Sequence, residues 1–369
     1  MVMRRQLLLG AVACGTAAPA LTGCSSAADE GAAARLLRQP FAVPAGTGAS
    51  VSDKLKRELV RYATLAPSSH NTQCWKFRIQ EHSITIEPDL SRRCPVVDPD
   101  DHHLYVSLGC ATENLAQAAL ANGLQANARF DASGAGSIAV DLQATPARQS
   151  LLYQAIPVRQ CTRGDYDGSP LSAEELSLLE QAGSGDGVRV MLLTDLRAME
   201  QVLEYVVAGN TAQLGDPAFV AELKAWIRFS ADEAIRTGDG LWAGASGNPS
   251  LPRWLGSRLM GWVLTPKSEN DRYARQLRNS AGIAVFVSAT SDKAHWLEAG
   301  RCYERFALQA TALGVRNAFL NQAVEVAAVR PQFAAMLGLG GERADLVVRF
   351  GRGPTLPLSM RRPVRAVLA

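Results

Sequence analysis

The chain repeats itself. From Gly109 to Gly123 it reads GCATENLAQAALANG, and from Gly300 to Gly314 it reads GRCYERFALQATALG. At a constant offset of 191 residues the pairs Gly109/Gly300, Glu113/Glu304, Ala116/Ala307, Ala119/Ala310, Ala121/Ala312 and Gly123/Gly314 coincide. The alanine matches carry little weight in an alanine-rich chain; two glycines and a glutamate at fixed spacing carry more. The pattern predicts long helices over 105–122 and 296–313, each ending at a glycine that suits the left-handed cap position. A strand-like region follows each, over 138–142 and 345–350. Two copies of one unit in one polypeptide reproduce the two-fold arrangement of a homodimer inside a single chain. Small residues every three to four positions let the two helices approach closely. The alternative is a pair of alanine-rich core helices with no symmetry between them.

The length, 369 residues, suits two ordinary domains or one pseudo-symmetric unit of that bulk. A net charge of +3, with no basic run interleaved with aromatics, gives no reason to expect a nucleic-acid partner. The N-terminus reads as a targeting segment. Arg4-Arg5 precedes Gln6-Leu7-Leu8-Leu9-Gly10, an alanine-rich apolar run, and Leu21-Thr22-Gly23-Cys24. This is the pattern of a signal peptide over 1–24 with a lipobox at its end, where Cys24 is acylated. The arginine pair resembles a twin-arginine signal. The run is too short and too rich in small residues for a membrane span. The expectation is an exported periplasmic or cell-envelope lipoprotein that meets the membrane only through a lipid on Cys24. Residues 25–50, rich in Ala, Gly, Ser and Pro, read as a flexible tether. The remaining cysteines contain no Cys-x-x-Cys, so neither a disulfide framework nor a zinc ribbon is indicated.

The body then divides at about residue 150. A first half, 51–150, opens with a helix capped by Ser52, with Leu55, Leu59, Tyr62 and Ala63 on one face, stopped at Pro67. Arg57 and Arg61 on it are expected to face solvent. Residues 75–79 and 83–87 alternate like the strands of a hairpin. The second half, 151–369, is longer, with helices predicted over 197–209 and 217–236 and an irregular stretch to Trp262 that holds Trp242 and Trp254. A long aromatic insertion of this kind reads as a lid over 197–262, or else as a surface extension packed on the body. Asp98, Asp100, Asp101, His102 and His103 cluster, but adjacent loop residues seldom point at one ion, and no metal is expected.

The chemistry is carried by Ala66-Pro67-Ser68-Ser69-His70-Asn71-Thr72-Gln73-Cys74-Trp75. A loop leaving a helix end, dense in hydroxyl, amide and free N–H groups, suits the polar edge of a planar ligand. The ordered run resembles the A-P-S-x-x-N-x-Q-P-W signature of the nitroreductase family, and its Acg-like branch, in which two nitroreductase units share one chain. Cys74 stands where that signature has proline, which brings a thiol toward the site. Arg159-Gln160-Cys161-Thr162-Arg163-Gly164-Asp165-Tyr166 is similar to the family's R-x-x-x-R-x-x-[Y/F] segment. Two guanidiniums so placed make a bidentate phosphate clamp. Arg352, or Arg361 or Arg362 of the C-terminal arm, would close on the same phosphate, and Asn321-Gln322 resembles the segment that passes the flavin ring.

The resemblance implies an α+β, FMN-dependent nitroreductase-like fold, duplicated around central long helices with the lid inserted in its second half. It implies FMN held by Pro67, Ser68, Ser69, Asn71, Gln73, Arg159, Gln160, Cys161, Arg163, Asn321, Gln322 and the arm arginines. The first half has the Ser/Asn loop but no Arg segment before its first helix; the second has the Arg segment but no Pro-Ser-x-x-Asn near 181–187. The two partial sets add up to one complete site, so one FMN per chain is expected, in a monomer that acts as a pseudo-dimer. The flavin does the redox chemistry, and no catalytic side chain is singled out. The expected activity is reduction of a small-molecule electron acceptor; the alternative is a non-catalytic flavin-binding or storage protein.

Overall fold

The computed structural model describes residues 27–40 and 51–369; the signal segment and Cys24 lie outside the described residues. Its first element, α1 (Ala27–Leu36), corrects the tether expected over 25–50 for the part described, residues 27–40. Alanine is the best helix former, and this segment is rich in it. Ala34 packs with Ala231, Ala234, Trp242 and Met360. Just beyond the helix, Arg38 donates to the Ser359 carbonyl at 2.9 Å, and its own carbonyl accepts from Arg61 at 3.2 Å.

The first half begins with α2 (Asp53–Thr64), where the Ser52 hydroxyl accepts from the Leu55 N–H at 3.2 Å, as a serine N-cap should. Arg61, expected in solvent, is buried on this helix against Glu58, 2.6 Å away. The hairpin β1 (Trp75–Ile79) and β2 (Ser83–Pro88) forms as its alternation predicts. Then come α3 (His102–Ala121), β3 (Leu124–Asp131) and β4 (Ser137–Ala144). The second half opens with a short helix, α4 (Leu151–Ala155), and continues with α5 (Ala173–Ala182) on a Ser172/Glu175 capping box, followed by β5 (Val188–Leu193).

After β5 the second half departs from the first. Where a three-residue turn joins β1 to β2, the chain here runs through α6 (Leu196–Gly215), α7 (Pro217–Trp226), β6 (Ile227–Arg228), α8 (Ala231–Thr237), β7 (Leu241–Trp242), α9 (Arg253–Val263) and α10 (Pro266–Arg278). The common pattern then resumes with β8 (Gly282–Ser288), α11 (Lys293–Ala312), β9 (Arg316–Phe319), α12 (Gln322–Glu325), α13 (Arg330–Met336) and β10 (Arg343–Gly351).

The duplication is explicit in the sheets. Their strand orders are β1-β2-β4-β3 and β5-β8-β10-β9, with every pairing antiparallel. In each, the four strands taken along the chain lie first-second-fourth-third, and the long helix joins the second to the third. The fold is therefore α+β and built twice. The helices α3 and α11 meet at its centre. A Cβ placed on Gly109 would lie 1.9 Å from the Leu297 carbonyl oxygen, and one on Gly300 would lie 2.0 Å from that of Val106. Val106 and Leu297 are themselves 191 apart, so each glycine admits the backbone of the other helix at the equivalent point. This reciprocity is the mark of a two-fold contact.

The halves differ in their outer faces. β3 alternates buried and open positions, as an antiparallel strand with one wet face does. β8, Gly-Ile-Ala-Val-Phe-Val-Ser, is buried throughout because α11 covers one face and α6 the other. Met199, Val202, Leu203 and Val206 of α6 pack with Ile283, Val285 and Val287. The lid expected over 197–262 thus has different limits: the first turns of α6 are core, its last turns line the seam cavity with Asn210, Gln213 and Leu214, and the stretch beyond it roofs that cavity. Beyond β10 the chain crosses back to the first half, where Phe77 donates to the Val367 carbonyl at 2.8 Å and accepts from the Ala369 N–H at 2.9 Å. Among the described residues no helix is long and apolar enough to cross a membrane.

Candidate functional site

Pro67 ends the helical path, and the chain turns sharply into β1. His70, Asn71 and Gln73 all adopt left-handed backbone angles, φ 48°, 54° and 53°. Non-glycine residues take this conformation only when their surroundings hold it. Here the Ser68 hydroxyl accepts from the Gln73 N–H at 2.9 Å. Asn71 donates to the carbonyls of Gly240 (3.0 Å) and Met360 (3.3 Å), and Gln73 donates to that of Gly238 (2.8 Å). Arg361, wholly buried, donates to the carbonyls of Thr64, Leu65 and Ala66 at 2.8–3.1 Å and to Asn71 Oδ1 at 3.1 Å. A cation over the last carbonyls of α2 satisfies acceptors that the helix leaves open. The C-terminal arm therefore fastens the loop in place.

The fastened loop forms one wall of a cavity of about 530 Å³ between the halves. Pro67, Ser68, Ser69 and His70 line it from the loop, and His103, Val106, Ser107 and Cys110 from α3. The second half contributes Arg163, the run Ala318 to Gln322, Leu346 and Arg349. Phe219, Leu223, Phe229, Leu251, Leu259 and Met260 of the insertion roof it with apolar surface. Polar groups converge on an apolar chamber of a size that suits a cofactor.

Arg163 is held by its backbone. Arg349 donates to the carbonyls on either side of it, Thr162 at 3.4 Å and Gly164 at 2.7 Å, and Gln276 donates to its own carbonyl at 2.6 Å. Arg349 also stacks on Tyr166, 4.0 Å from the ring centre. Gln322 brings a buried Oε1 that has no hydrogen-bond partner among the described residues. Gly209 of α6 makes room for it, since a Cβ there would meet the Gln322 carbonyl oxygen at 2.5 Å.

Of the residues expected at the site, Pro67, Ser68, Ser69, Arg163, Asn321 and Gln322 do line the cavity. Asn71 and Gln73 do not; their amides tie the loop to the insertion and the arm. Arg159 lies under the loop, donating to the Leu65 carbonyl and 3.2 Å from Glu304 Oε1. Gln160 bonds both backbone groups of Leu356, and Cys161 bridges to Asn317. Arg352 pairs with Glu175 at 2.5 Å, and Arg362 spans Gln73 and Ala366. The expected two-arginine clamp and its closing arm are thus corrected: Arg163 is the member at the cavity, and the others act as struts. The thiol in the cavity wall belongs to Cys110. Cys74 is buried beneath α3 and pushed up to about 12 by that burial.

His103, noted in the sequence only as part of the Asp/His cluster, lines the cavity, as do Glu325 and the phenyl rings of Phe219 and Phe229, which chain distance separates from the motifs and for which no sequence signal stands out. Among the described residues Asp98, His102 and His103 bring ligand-type atoms within 4.8 Å of one another. Those atoms are engaged, however. Asp98 accepts the N–H groups of His103 (3.0 Å) and Leu104 (2.9 Å) with one oxygen each, and both nitrogens of His102 have partners. The set does not present open ligands to an ion.

The equivalent seam position is closed. Ser107 and Cys110 correspond, at the offset of 191, to Glu298 and Arg301. Together with Glu113 and Arg305 these form a charge cluster of contacts at 3.1–3.3 Å. A Cβ on Gly185, in the loop matching the Ser/Asn loop, would meet Glu298 Oε1 at 2.4 Å. Salt bridges and a close backbone fill the volume that the cavity occupies on the other side.

No protein-family model matches the chain. It is similar to the “Putative NAD(P)H nitroreductase Rv3131” of Mycobacterium tuberculosis, 26% identical over 325 residues, covering 85% of this chain and 90% of that one. It is also similar to the “Putative NAD(P)H nitroreductase acg” of the same organism, 23% identical over 333 residues, covering 86% and 96%. Similarity across nearly the whole of both chains supports the resemblance carried by Ala66 to Trp75. Solved structures that resemble the chain include a nitroreductase with bound FMN from Desulfitobacterium hafniense, 15% identical, covering 58% of this chain and 94% of that one at a TM-score of 0.36. Another is the FMN-dependent nitroreductase NfnB from Mycobacterium smegmatis in complex with NADPH, 13% identical, covering 55% and 87%, also at 0.36.

Proposed function

We propose that the chain is an FMN-binding oxidoreductase of the nitroreductase type that passes reducing equivalents from a reduced nicotinamide to a small electron-accepting molecule. The observation that carries this reading is the seam cavity, which joins the Ser68/Ser69 loop of one half to Arg163 of the other. The residues fit the cofactor. Arg163 supplies a guanidinium for the phosphate. Ser68, Ser69 and Asn321 supply hydrogen-bonding groups for the polar ring edge and ribityl chain, and the unpartnered Gln322 Oε1 is an acceptor in want of a donor. Leu320, Leu346 and the roof supply apolar contact. A flavin bound there provides hydride and electron transfer; the chain provides orientation and excludes water. The filled second seam supports one flavin per chain.

Export completes the proposal: a folded, flavin-loaded protein carried out on the twin-arginine signal and held by lipid on Cys24. A second reading, a flavin held without turnover, is favoured by the apolar roof. Mixing the purified yellow protein in turn with NADPH, NADH and dithionite separates the two. Bleaching by a nicotinamide supports the oxidoreductase, and bleaching by dithionite alone supports the holder. A protein that takes up no FMN rejects both.

A further inference from the structure

A chain of hydrogen bonds runs from the cavity wall into the second half, and its proton positions can be assigned. Asn321 Oδ1 accepts from the Val347 N–H at 3.0 Å, which fixes the amide so that its Nδ2 donates to His103 Nε2 at 3.1 Å. His103 then carries its own proton on Nδ1, which lies 2.9 Å from Nδ1 of His102 and donates to it. His102 therefore carries its proton on Nε2 and donates to Asp345 Oδ1 at 2.8 Å. The Ser288 hydroxyl donates to the other carboxylate oxygen. Each nitrogen and oxygen in the chain is satisfied by one consistent set of tautomers.

That set is one of two. With one more proton the chain reverses: Asp345 is protonated and donates to His102 Nε2, His102 Nδ1–H donates to His103 Nδ1, and His103 carries its proton on Nε2, which ends the bond it accepts from Asn321 Nδ2 and makes that edge a donor at the cavity wall. Glu325 Oε1, 3.6 Å from His103 Nε2, lies ready to receive that proton when nothing else does. We infer that His103 and His102 form a relay that delivers one proton at a time from Asp345 to an electron-accepting molecule bound in the cavity, an inference that rests on the redox function proposed above.

The balance closes. The acceptor gains a hydride equivalent from a reduced nicotinamide and a proton from His103 Nε2. His103 takes the Nδ1 proton of His102, and His102 takes the proton of Asp345. That leaves the tautomers described above, with Asp345 a carboxylate; once the product has left, a proton taken from water at His103 Nε2, the end of the chain that lines the cavity, runs the same steps in reverse and reloads Asp345. The surroundings suit the task. Burial raises Asp345 to about 7, against the opposing influence of Ser288 and Arg343. Burial alone lowers His103, but Asp98 on one side and Glu325 on the other outweigh it and raise the imidazole above its usual value, while Arg343 opposes them. Burial, His103 and Arg343 hold His102 well below that value, so it passes a proton on and does not keep one. His70, on the loop, also faces this charge and is itself lowered to about 4 by burial.

The test uses the flavin-loaded protein, with a soluble quinone as acceptor after stoichiometric reduction. His103→Gln, His102→Asn and Asp345→Asn are each expected to slow acceptor reduction about 100-fold at neutral pH, within the range for general acid catalysis. In His102→Asn and Asp345→Asn, whose sites lie outside the cavity wall, flavin content and reduction by nicotinamide should be unchanged, and in all three variants the solvent deuterium isotope effect of the parent should be lost. In the parent the rate should fall as pH rises through about 7, and Asp345→Asn should remove that fall. Nitrogen-15 shifts of the oxidised parent should report the Nδ1–H tautomer for His103 and Nε2–H for His102. An unchanged acceptor rate in variants that keep their flavin overturns the relay and leaves the oxidoreductase standing. So does the opposite tautomer pair, or a stoichiometric zinc ion that is lost in His102→Asn. Failure to bind flavin or to accept electrons overturns the underlying function, whatever the histidine spectra show.

Discussion

Two arginines that look alike in sequence have opposite duties. The Arg163 side chain lines the cavity while its backbone is clamped, whereas Arg361 spends its guanidinium on the carbonyls that end α2. Arg163→Ala should therefore weaken FMN binding by about 10- to 100-fold, the worth of a charged hydrogen bond or two, with an unchanged midpoint of unfolding. Arg361→Ala leaves several buried carbonyls without donors and should cost about 3 kcal/mol of stability, read by denaturant titration. Glu304 gives a test in pH. Burial, outweighing Arg159 and Asn114, raises its carboxyl from 4.5 to about 7. The folded state then holds a proton that the unfolded state has released, so stability is full below about 4.5 and declines as pH rises through about 7. Asp345 acts in the same direction. Glu304→Gln should flatten this decline in a series of melts from pH 4 to 8; an unchanged slope refutes the assignment. The place of Arg163 was legible beforehand, but the duties of Arg361 and Glu304 were not, because a sequence shows a guanidinium but not the carbonyls that consume it.

At the level of the element, the reading of the chain was most accurate where a local rule had one solution. Ser52, the alternation over 75–79 and 83–87, and the repeated glycines each specified their own segment. It was least accurate where packing decides. The alanine-rich stretch before residue 40 has the composition of a tether, yet it is helical and docked, because small side chains also make a helix that lies flat on a neighbour. The insertion was visible as irregular and aromatic, but its first helix serves the core. The crossing of α3 and α11 is the sharpest case of a local residue with a distant reason. A methyl group at Gly109 would collide with the backbone of α11 and force the helices apart. Gly109→Ala should cost about 3 kcal/mol or more, and Gly300→Ala a similar amount, read as the shift in denaturant midpoint. If Ala is tolerated at both positions, the close crossing is wrong.

For the whole molecule, one open and one closed position at the seam lead to a count. The flavin released by heat, measured against protein, should approach one per chain, and sedimentation of the loaded protein should give the mass of a monomer. Two flavins per chain would mean that the Glu113–Arg301–Glu298–Arg305 cluster opens. The duplication itself was legible because helix contacts at the seam demand glycine at fixed places. Which side stayed open was legible only in outline, from the Ser/Asn loop and the Arg segment falling in different halves. The charges that fill the other side stand on α11 at positions where α3 has Ser107 and Cys110, and only the fold aligns them.

The stretch inserted between β5 and β8 has a consequence for how such a protein can change. In an enzyme made of two identical subunits every amendment is made twice, so a roof grown over one chamber must also be grown over its twin, with room found for both. Joining the copies end to end lifts that obligation. One copy can keep the bare hairpin turn while the other acquires a ceiling, and the disused chamber is free to become masonry.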